Sequence, residues 1–507
     1  MTMNMRMQSN AKLAACQALL GLALLLAGCP RSSPNSSATV QKPPEIIVLI
    51  LIDTLRADYV GAYGHAPSVT PALDGLARDG VVFEHVNSPA PWTLPAMASL
   101  FCGVYPDVHQ CDDYGNATGG ANGGMQVRTL DERFITLAEA LQAGGYETAG
   151  FVANPFLTQQ NGFGQGFDHY DTSFANNMTS GSIVNGYVLD WLGKRQSKRP
   201  LFLYVHYMDV HGPYRAAGDR LDPLLKRVEQ LADKHEIPAS ERERHQNFFS
   251  KGMAEYADEP RHQKLANYVE YWQARYSAGV AECDAHVGAL RAGLQQLGLF
   301  DKSLLIVTAD HGEALGEHGF WSHGFSAHQD QLHVPLIVRW PAQIAPGSRI
   351  APDARLFDLL PTVLTWAAAP LPPNIQAQSL TPLFVGPEKS PRTTIGEAVK
   401  ERPAQRALLA DGWKLLADAQ AKKYELYHLT QDPTERTDLA AGEAKRVETM
   451  RAQLDHLVAA NLRHPLFSRA KLTELTSAEV KRLQALGYLG DDDEPAPATT
   501  SAPATQP

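Results

Sequence analysis

The 507-residue chain has no block of lysine or arginine: 45 basic and 55 acidic side chains are spread along it, for a formal net charge of −10. A nucleic-acid footprint requires basic charge gathered on one face, so that class of partner is excluded. The apolar run from Leu13 to Leu26 is too short and too abruptly ended for a membrane span. No internal repeat is present, which excludes a solenoid or propeller. Cysteine is scarce, with five in all, and only Cys102, Cys111 and Cys283 lie beyond the N-terminal segment. In an oxidising compartment Cys102 and Cys111 are close enough to close a small disulfide loop, leaving Cys283 over. The alternative is three buried thiols acting as small hydrophobes.

What is present begins with an export pattern. Arg6 and Lys12 precede the apolar run, which ends in Leu26-Ala27-Gly28-Cys29. This resembles a bacterial lipoprotein signal, which implies cleavage after residue 28, lipid on Cys29 and an extracytoplasmic, membrane-anchored protein at the periplasm or cell surface. An uncleaved anchor or an ordinary secretory signal is the alternative. Residues 29–44, rich in Ser, Pro and Asn, read as a disordered tether, and 491–507, acidic and then Pro-, Ala- and Thr-rich, as a disordered tail. The length allows one large domain with a smaller addition, expected at 45–394 and 395–490.

Short, continuously apolar β-branched runs alternate with helical patterns. This predicts an α/β fold: a mostly parallel sheet, buried on both faces, flanked by helices, with a smaller C-terminal α+β unit. Strands are expected at 45–52, 148–153, 201–207, 303–309 and 336–339, and helices at 70–79, 94–102, 136–143 and 264–297. The polar stretch 213–258 reads as an insertion near the rim of the site. In the C-terminal unit, 407–416 and 424–429 read as two strands of a hairpin-like sheet, with a helix over 443–462. In open α/β sheets the ligand site lies beyond the carboxyl ends of the strands, where Asp53, His211 and Asp310 emerge.

Carboxylates and an imidazole at strand ends suit a divalent cation, which depresses the pKa of a hydroxyl bound to it. Thr93 stands just before the expected helix from Leu94, where backbone N–H groups favour an anionic phosphoryl or sulfuryl group. A threonine hydroxyl is a poor nucleophile unless activated in this way. The plain alternatives are a helix N-cap for Thr93 and turn-capping acids for Asp53 and Asp310-His311-Gly312-Glu313.

Several ordered motifs then converge. They are Ile52-Asp53-Thr54-Leu55-Arg56, the segment Pro91-Trp92-Thr93-Leu94-Pro95 running to Gly103-Val104-Tyr105-Pro106, and Asp209-Val210-His211-Gly212-Pro213-Tyr214. Downstream follow Asp310-His311-Gly312-Glu313, Gly316-Glu317-His318-Gly319, Asp432-Pro433 and Leu486-Gly487-Tyr488-Leu489. The chain resembles the sulfatase family of the alkaline phosphatase superfamily from Glu45 to Gly490. The resemblance implies Asp53, Asp310 and His311 as metal ligands, with Thr93 as the nucleophile that also touches the metal. It implies His211 as a histidine that protonates or steadies the leaving oxygen and binds substrate, and His323 as a contact to the charged substrate oxygens. His206, His318 and His328 read as packing or surface histidines.

The resemblance breaks where formylglycine would be made. The Cys-x-Pro-x-Arg type motif is replaced by Thr93-Leu94-Pro95-Ala96-Met97, and Thr54 replaces the second acid of the Asp-Asp pair. These changes favour a metal-dependent hydrolase or transferase acting on phosphate or sulfate esters, with phosphoester chemistry slightly ahead. One divalent metal ion is expected, zinc or manganese ahead of calcium or magnesium, because an imidazole ligand suits the former pair. A two-metal centre would draw on Asp209, His211 and His323, whose spacing departs from the two-metal pattern. The partner is an anionic ester such as a glycan or lipid headgroup. The competing readings are a sulfuric ester hydrolase working without formylglycine and an inactive lipoprotein that binds an anionic ligand.

Overall fold

The central strands owe their place to unbroken apolar sequence. Ile46–Ile52, Leu201–Tyr207 and Ser303–Thr308 are buried at every position, as only strands covered on both faces can be. The computed structural model describes residues 42–467 apart from 113, 116–125, 176–178, 213, 215, 217–220, 239–267, 387–391, 399–404 and 419–421, together with the strand 472–474.

From edge to edge the main sheet runs Ser348–Ile350, Val81–Asn87, His333–Arg339, Ser303–Thr308, Ile46–Ile52, Leu201–Tyr207, Glu147–Val152 and His169–Asp171, with Ala354–Arg355 also on Val81–Asn87. His333–Arg339 pairs antiparallel with both neighbours, while the other pairings are parallel. The expected α/β architecture is therefore present. Two groups of helices flank the sheet. In one, the long helix Val269–Gln296 packs on Pro71–Arg78, Gly181–Lys194 and Asp222–Lys234; in the other, Thr93–Cys102, Leu137–Ala143 and Leu359–Trp366 pack together.

The expected strands and helices are in place to within a few residues, except that the strand expected at 336–339 begins at His333 and the helix expected from 264 begins at Val269. Strands Val81–Asn87, His169–Asp171 and Ser348–Ile350 have no counterpart in the sequence reading. In Val81–Asn87 the polar pair Glu84-His85 interrupts the apolar pattern of a strand near the sheet edge.

The C-terminal sheet corrects the sequence reading more deeply. The stretch 407–416, read as one strand, is a hairpin of Gln405–Ala410 and Trp413–Asp418 within a four-stranded antiparallel sheet completed by Thr394–Ala398 and Lys423–His428. It turns at Asp411-Gly412, whose φ values of 52° and 74° meet the requirement of a two-residue type I′ turn. Helix Ala444–Asn461 shares an apolar cluster with this sheet through Met450 and Leu454. Tyr105 and Phe357 of the large domain join the same cluster, and the chain from Pro43 onward is one compact unit. Cys102, Cys111 and Cys283 are buried free thiols, so the small-hydrophobe reading holds and the disulfide loop does not form. The lipidation candidate Cys29, most of the 213–258 insertion, the Leu486–Leu489 motif and the acidic tail lie outside the described residues.

Candidate active site and metal centre

The site forms at the carboxyl edge of the parallel strands, where Asp53, Asn154 and Asp310 each follow a strand end by one or two residues. Thr93 follows Val81–Asn87 and opens a helix buried along its whole length, Thr93–Cys102, which stops at Gly103 with φ 73°. The N-cap of this helix is Trp92, and no side chain caps it. The N-cap alternative for Thr93 therefore fails: its hydroxyl faces the acids instead.

Thr93 Oγ1 lies 3.4 Å from Asp53 Oδ2 and 3.3 Å from His311 Nε2. His311 Nε2 is in turn 3.8 Å from Asp53 Oδ1 and 3.4 Å from Asp310 Oδ2. All four side chains are fully buried. Asp310 Oδ1 accepts from the Thr54 and His311 amides at 3.2 and 2.9 Å, which fixes the carboxylate. Thr54 turns its hydroxyl onto Asp53 O at 2.7 Å and adopts φ 58°, so it offers no ligand in place of the acid it replaces.

The donor set suits a divalent ion. One ligand atom from each of Asp53, Asp310 and His311 lies within 4.8 Å of the others. Asp53 Oδ1 and Asp310 Oδ2 are buried with no hydrogen-bond partner, a costly condition that a cation relieves. His311 Nδ1 donates to Gly312 O at 2.8 Å, which assigns the proton to that nitrogen and turns the Nε2 lone pair toward the acids. Burial, with Asp310 as the next cause, raises the Asp53 carboxyl well above its ordinary value, the signature of an acid lacking its counter-charge.

His211 and His323 join the same centre. The His323 ring lies 4.6 Å from that of His311 and 5.0 Å from that of His211. His211 donates from Nδ1 to Gly212 O at 2.7 Å, which assigns the proton of the neutral ring to that nitrogen. Burial, followed by repulsion from His323, lowers its pKa to about 3.

Three further residues take part: Asn154, which the sequence does not single out, Glu313, which it names only within its motif, and His206, which it reads as a packing or surface histidine. Asn154 donates to Asp53 Oδ2 at 2.7 Å, and its Oδ1 accepts from the Phe156 amide at 2.8 Å. Glu313 sits 3.2 Å from His323 Nδ1, and burial raises its carboxyl to about 7. His206, expected to be a packing residue, places Nε2 3.6 Å from Asp53 Oδ2 and is likewise pushed down to about 3 by burial. The signal for His206 is register: it pairs with Leu51, two residues before Asp53, on the neighbouring strand. Asp209 is engaged with the Gly181 amide at 2.9 Å and with His286 at 3.1 Å. It is thus held by a helix start and not by the acid pair, and a second ion using it gains no support.

Residues 45–369 match the family described as Sulfatase, and residues 316–461 match the C-terminal region of N-sulphoglucosamine sulphohydrolase. The chain is 30% identical to human (Homo sapiens) arylsulfatase A over 396 residues, 73% of each protein. A solved protein in complex with its substrate D-glucosamine-2-N,6-O-disulfate superposes with TM-score 0.61 at 18% identity, covering 83% of this chain and 98% of its own. The phosphonate monoester hydrolase of Agrobacterium radiobacter superposes with TM-score 0.61 at 21% identity, covering 85% and 100%. Fold and comparisons together define an ester hydrolase of the alkaline phosphatase superfamily. Within it, the chain belongs to the sulfatase family.

Proposed function

We propose that the protein cleaves or transfers phosphate or sulfate esters with Thr93 as nucleophile, phosphoesters being the favoured substrates. The observation that carries this reading is that Thr93 Oγ1 lies within 3.4 Å of both Asp53 and His311. Asp53, Asp310 and His311 would hold one divalent ion, zinc or manganese ahead of calcium or magnesium. When bound, that ion supplies positive charge to the ester oxygens and makes the threonine hydroxyl more acidic.

The chain's own groups divide the remaining work. Thr93 Oγ1 forms the bond to phosphorus or sulfur while the ester oxygen departs, and its proton passes to a neighbouring base. His211 would serve the leaving oxygen, protonating it when the imidazole arrives charged. Its lowered pKa implies that the proton is taken up only once an anionic substrate lies beside it. His323, held at Nδ1 by Glu313, contacts the equatorial oxygens. Water or an acceptor alcohol then releases the group from Thr93. The glycan sulfate and phosphonate chemistry named for the two structural neighbours supports both ester classes as candidates.

The test uses purified protein stripped of metal and reloaded with Zn2+, Mn2+ or Ca2+. It is assayed on matched aryl phosphate diester, phosphonate monoester and sulfate, beside Thr93→Ala and Thr93→Ser. We expect phosphorus esters to turn over fastest, Thr93→Ala to lose at least about a thousandfold and Thr93→Ser to retain part of the rate. Equal rates for wild type and Thr93→Ala would remove the nucleophile, and turnover of sulfate alone would reverse the substrate preference.

A further inference from the structure

We propose that His318, His328 and Glu435 form a second metal site, for a transition-metal ion of the zinc class, where the loop after strand Ser303–Thr308 meets the C-terminal unit. One ligand atom from each residue lies within 4.8 Å of the other two, a spread that a single ion closes once the two imidazoles turn out of their stack to aim their nitrogens at one point. Two imidazoles and one carboxylate select zinc, cobalt or nickel over calcium and magnesium, which prefer all-oxygen shells.

A second observation points to a ligand independently of that spacing. His328 is only 3% exposed, yet its Nε2 has no hydrogen-bond partner. The nearest carboxylate oxygen, Glu425 Oε2, is 3.8 Å away, within ion-pair reach and electrostatically coupled to the ring but beyond hydrogen-bond distance. The other ring nitrogen meets Ser326 Oγ at 2.7 Å, which sets the ring in place as the outer partner of a ligating histidine does. His318 stacks on His328 with ring centroids 3.8 Å apart and planes 9° apart. Its backbone sits at φ 53°, in the left-handed region that favours glycine and that few other residues adopt.

Glu435 is already bound on its protein side. Lys414 Nζ lies 2.6 Å from Oε1, and the Gln329 amide donates to Oε2 at 2.6 Å. A carboxylate offers about four lone-pair directions, so these two contacts orient it and leave room for an ion. Asp330, whose two carboxylate oxygens are buried with no hydrogen-bond partner, interacts electrostatically with His328, Glu435 and Lys414. The three ligands line a cavity of about 1300 Å3 that also includes Tyr59, His85 and Arg349, which gives an ion a way in. None of Thr93, Asp53, Asp310 and His311 lines it, so this site is separate from the candidate active site. Its ion would tie the 316–328 loop, which carries His323, to the C-terminal unit that carries Glu435.

Full-length protein is stripped of metal, loaded with Zn2+ and, separately, titrated with Co2+. Bound zinc is counted by elemental analysis and cobalt by its visible absorption. We expect about two equivalents per chain in wild type and about one in His318→Ala, an exposed position whose substitution should leave the metal-free circular dichroism unchanged. In Asp53→Asn/Asp310→Asn protein one equivalent should remain, and adding His318→Ala should abolish it. Equal stoichiometry in wild type and His318→Ala overturns the proposal, and that pair decides the matter even if the double-asparagine protein does not fold. Failure here leaves the Thr93 reading intact, because that reading is scored by ester turnover.

Discussion

Replacing Asn154 by alanine should weaken divalent-metal binding at the Asp53, Asp310 and His311 cluster and should do so more strongly at low pH. The Asn154 Nδ2 bond to Asp53 Oδ2, at 2.7 Å, favours the ionised carboxylate in a fully buried site. A hydrogen bond to a charged group contributes about 1.5–3 kcal/mol. At roughly 1.4 kcal/mol per factor of ten, its loss should weaken divalent-metal binding about tenfold to a hundredfold. The pH dependence follows from sign. Asp53 already has a raised pKa, Asn154 is among the contacts lowering it, and removing that contact raises it further. The metal must then displace a proton more often, so the deficit should shrink as pH rises. Competition titration of the stripped protein with Zn2+ against a chelator, at about pH 6 and about pH 8, measures both effects. Asn154→Asp is the companion variant. It keeps the acceptor for the Phe156 amide but sets a third carboxylate against Asp53, so it should lower the unfolding midpoint of the metal-free protein. Affinity within about twofold of wild type, or a deficit independent of pH, would refute the reasoning.

Two other outcomes follow from the structure. Asp284 accepts from the Ala72 and Leu73 amides at 2.9 and 2.8 Å, at the start of helix Pro71–Arg78, yet burial raises its carboxyl from 3.8 to about 6. A raised acid stabilises the fold at low pH and loses that contribution as pH rises through about 6. Asp284→Asn should therefore match wild type near pH 4 and exceed it by up to roughly 3 kcal/mol near pH 7, read as urea midpoints, and a pH-independent difference would contradict this. Gly412→Ala places a Cβ in a left-handed turn at φ 74° and 2.8 Å from Thr430 Oγ1. It should cost about 1–2 kcal/mol in urea unfolding, and an unchanged midpoint would count against the type I′ turn.

Legibility in the sequence followed physical cause. The central strands were readable because burial on both faces leaves no polar residue in Ile46–Ile52 or in Leu304–Val307. Asp53, Thr93, Asp310 and His311 were readable because they sit in recognisable motifs at strand or helix ends, and the structure brings them together. Asn154 and His206 were not, because neither has a motif: each reaches Asp53 only through strand pairing, which one chain read alone does not display. The C-terminal hairpin was missed because Leu408-Leu409 and Leu415-Leu416 look like one apolar stretch unless Asp411-Gly412 is taken as a turn. His318 and His328 read as packing or surface histidines, and nothing in their local pattern shows that Glu435, over a hundred residues later, lies beside them.

Ile46–Ile52 is the first strand of the main sheet in the chain, yet its partners are Leu201–Tyr207 and Ser303–Thr308, some 150 and 250 residues later. Made first among the described strands, it has no sheet partner until Leu201–Tyr207 has emerged, and its second arrives only with Ser303–Thr308. Asp53 cannot meet Asp310 and His311 before that closure, so any ion held by these three residues would report on completed folding, and a chain cut short before residue 310 would lack two of the three candidate ligands.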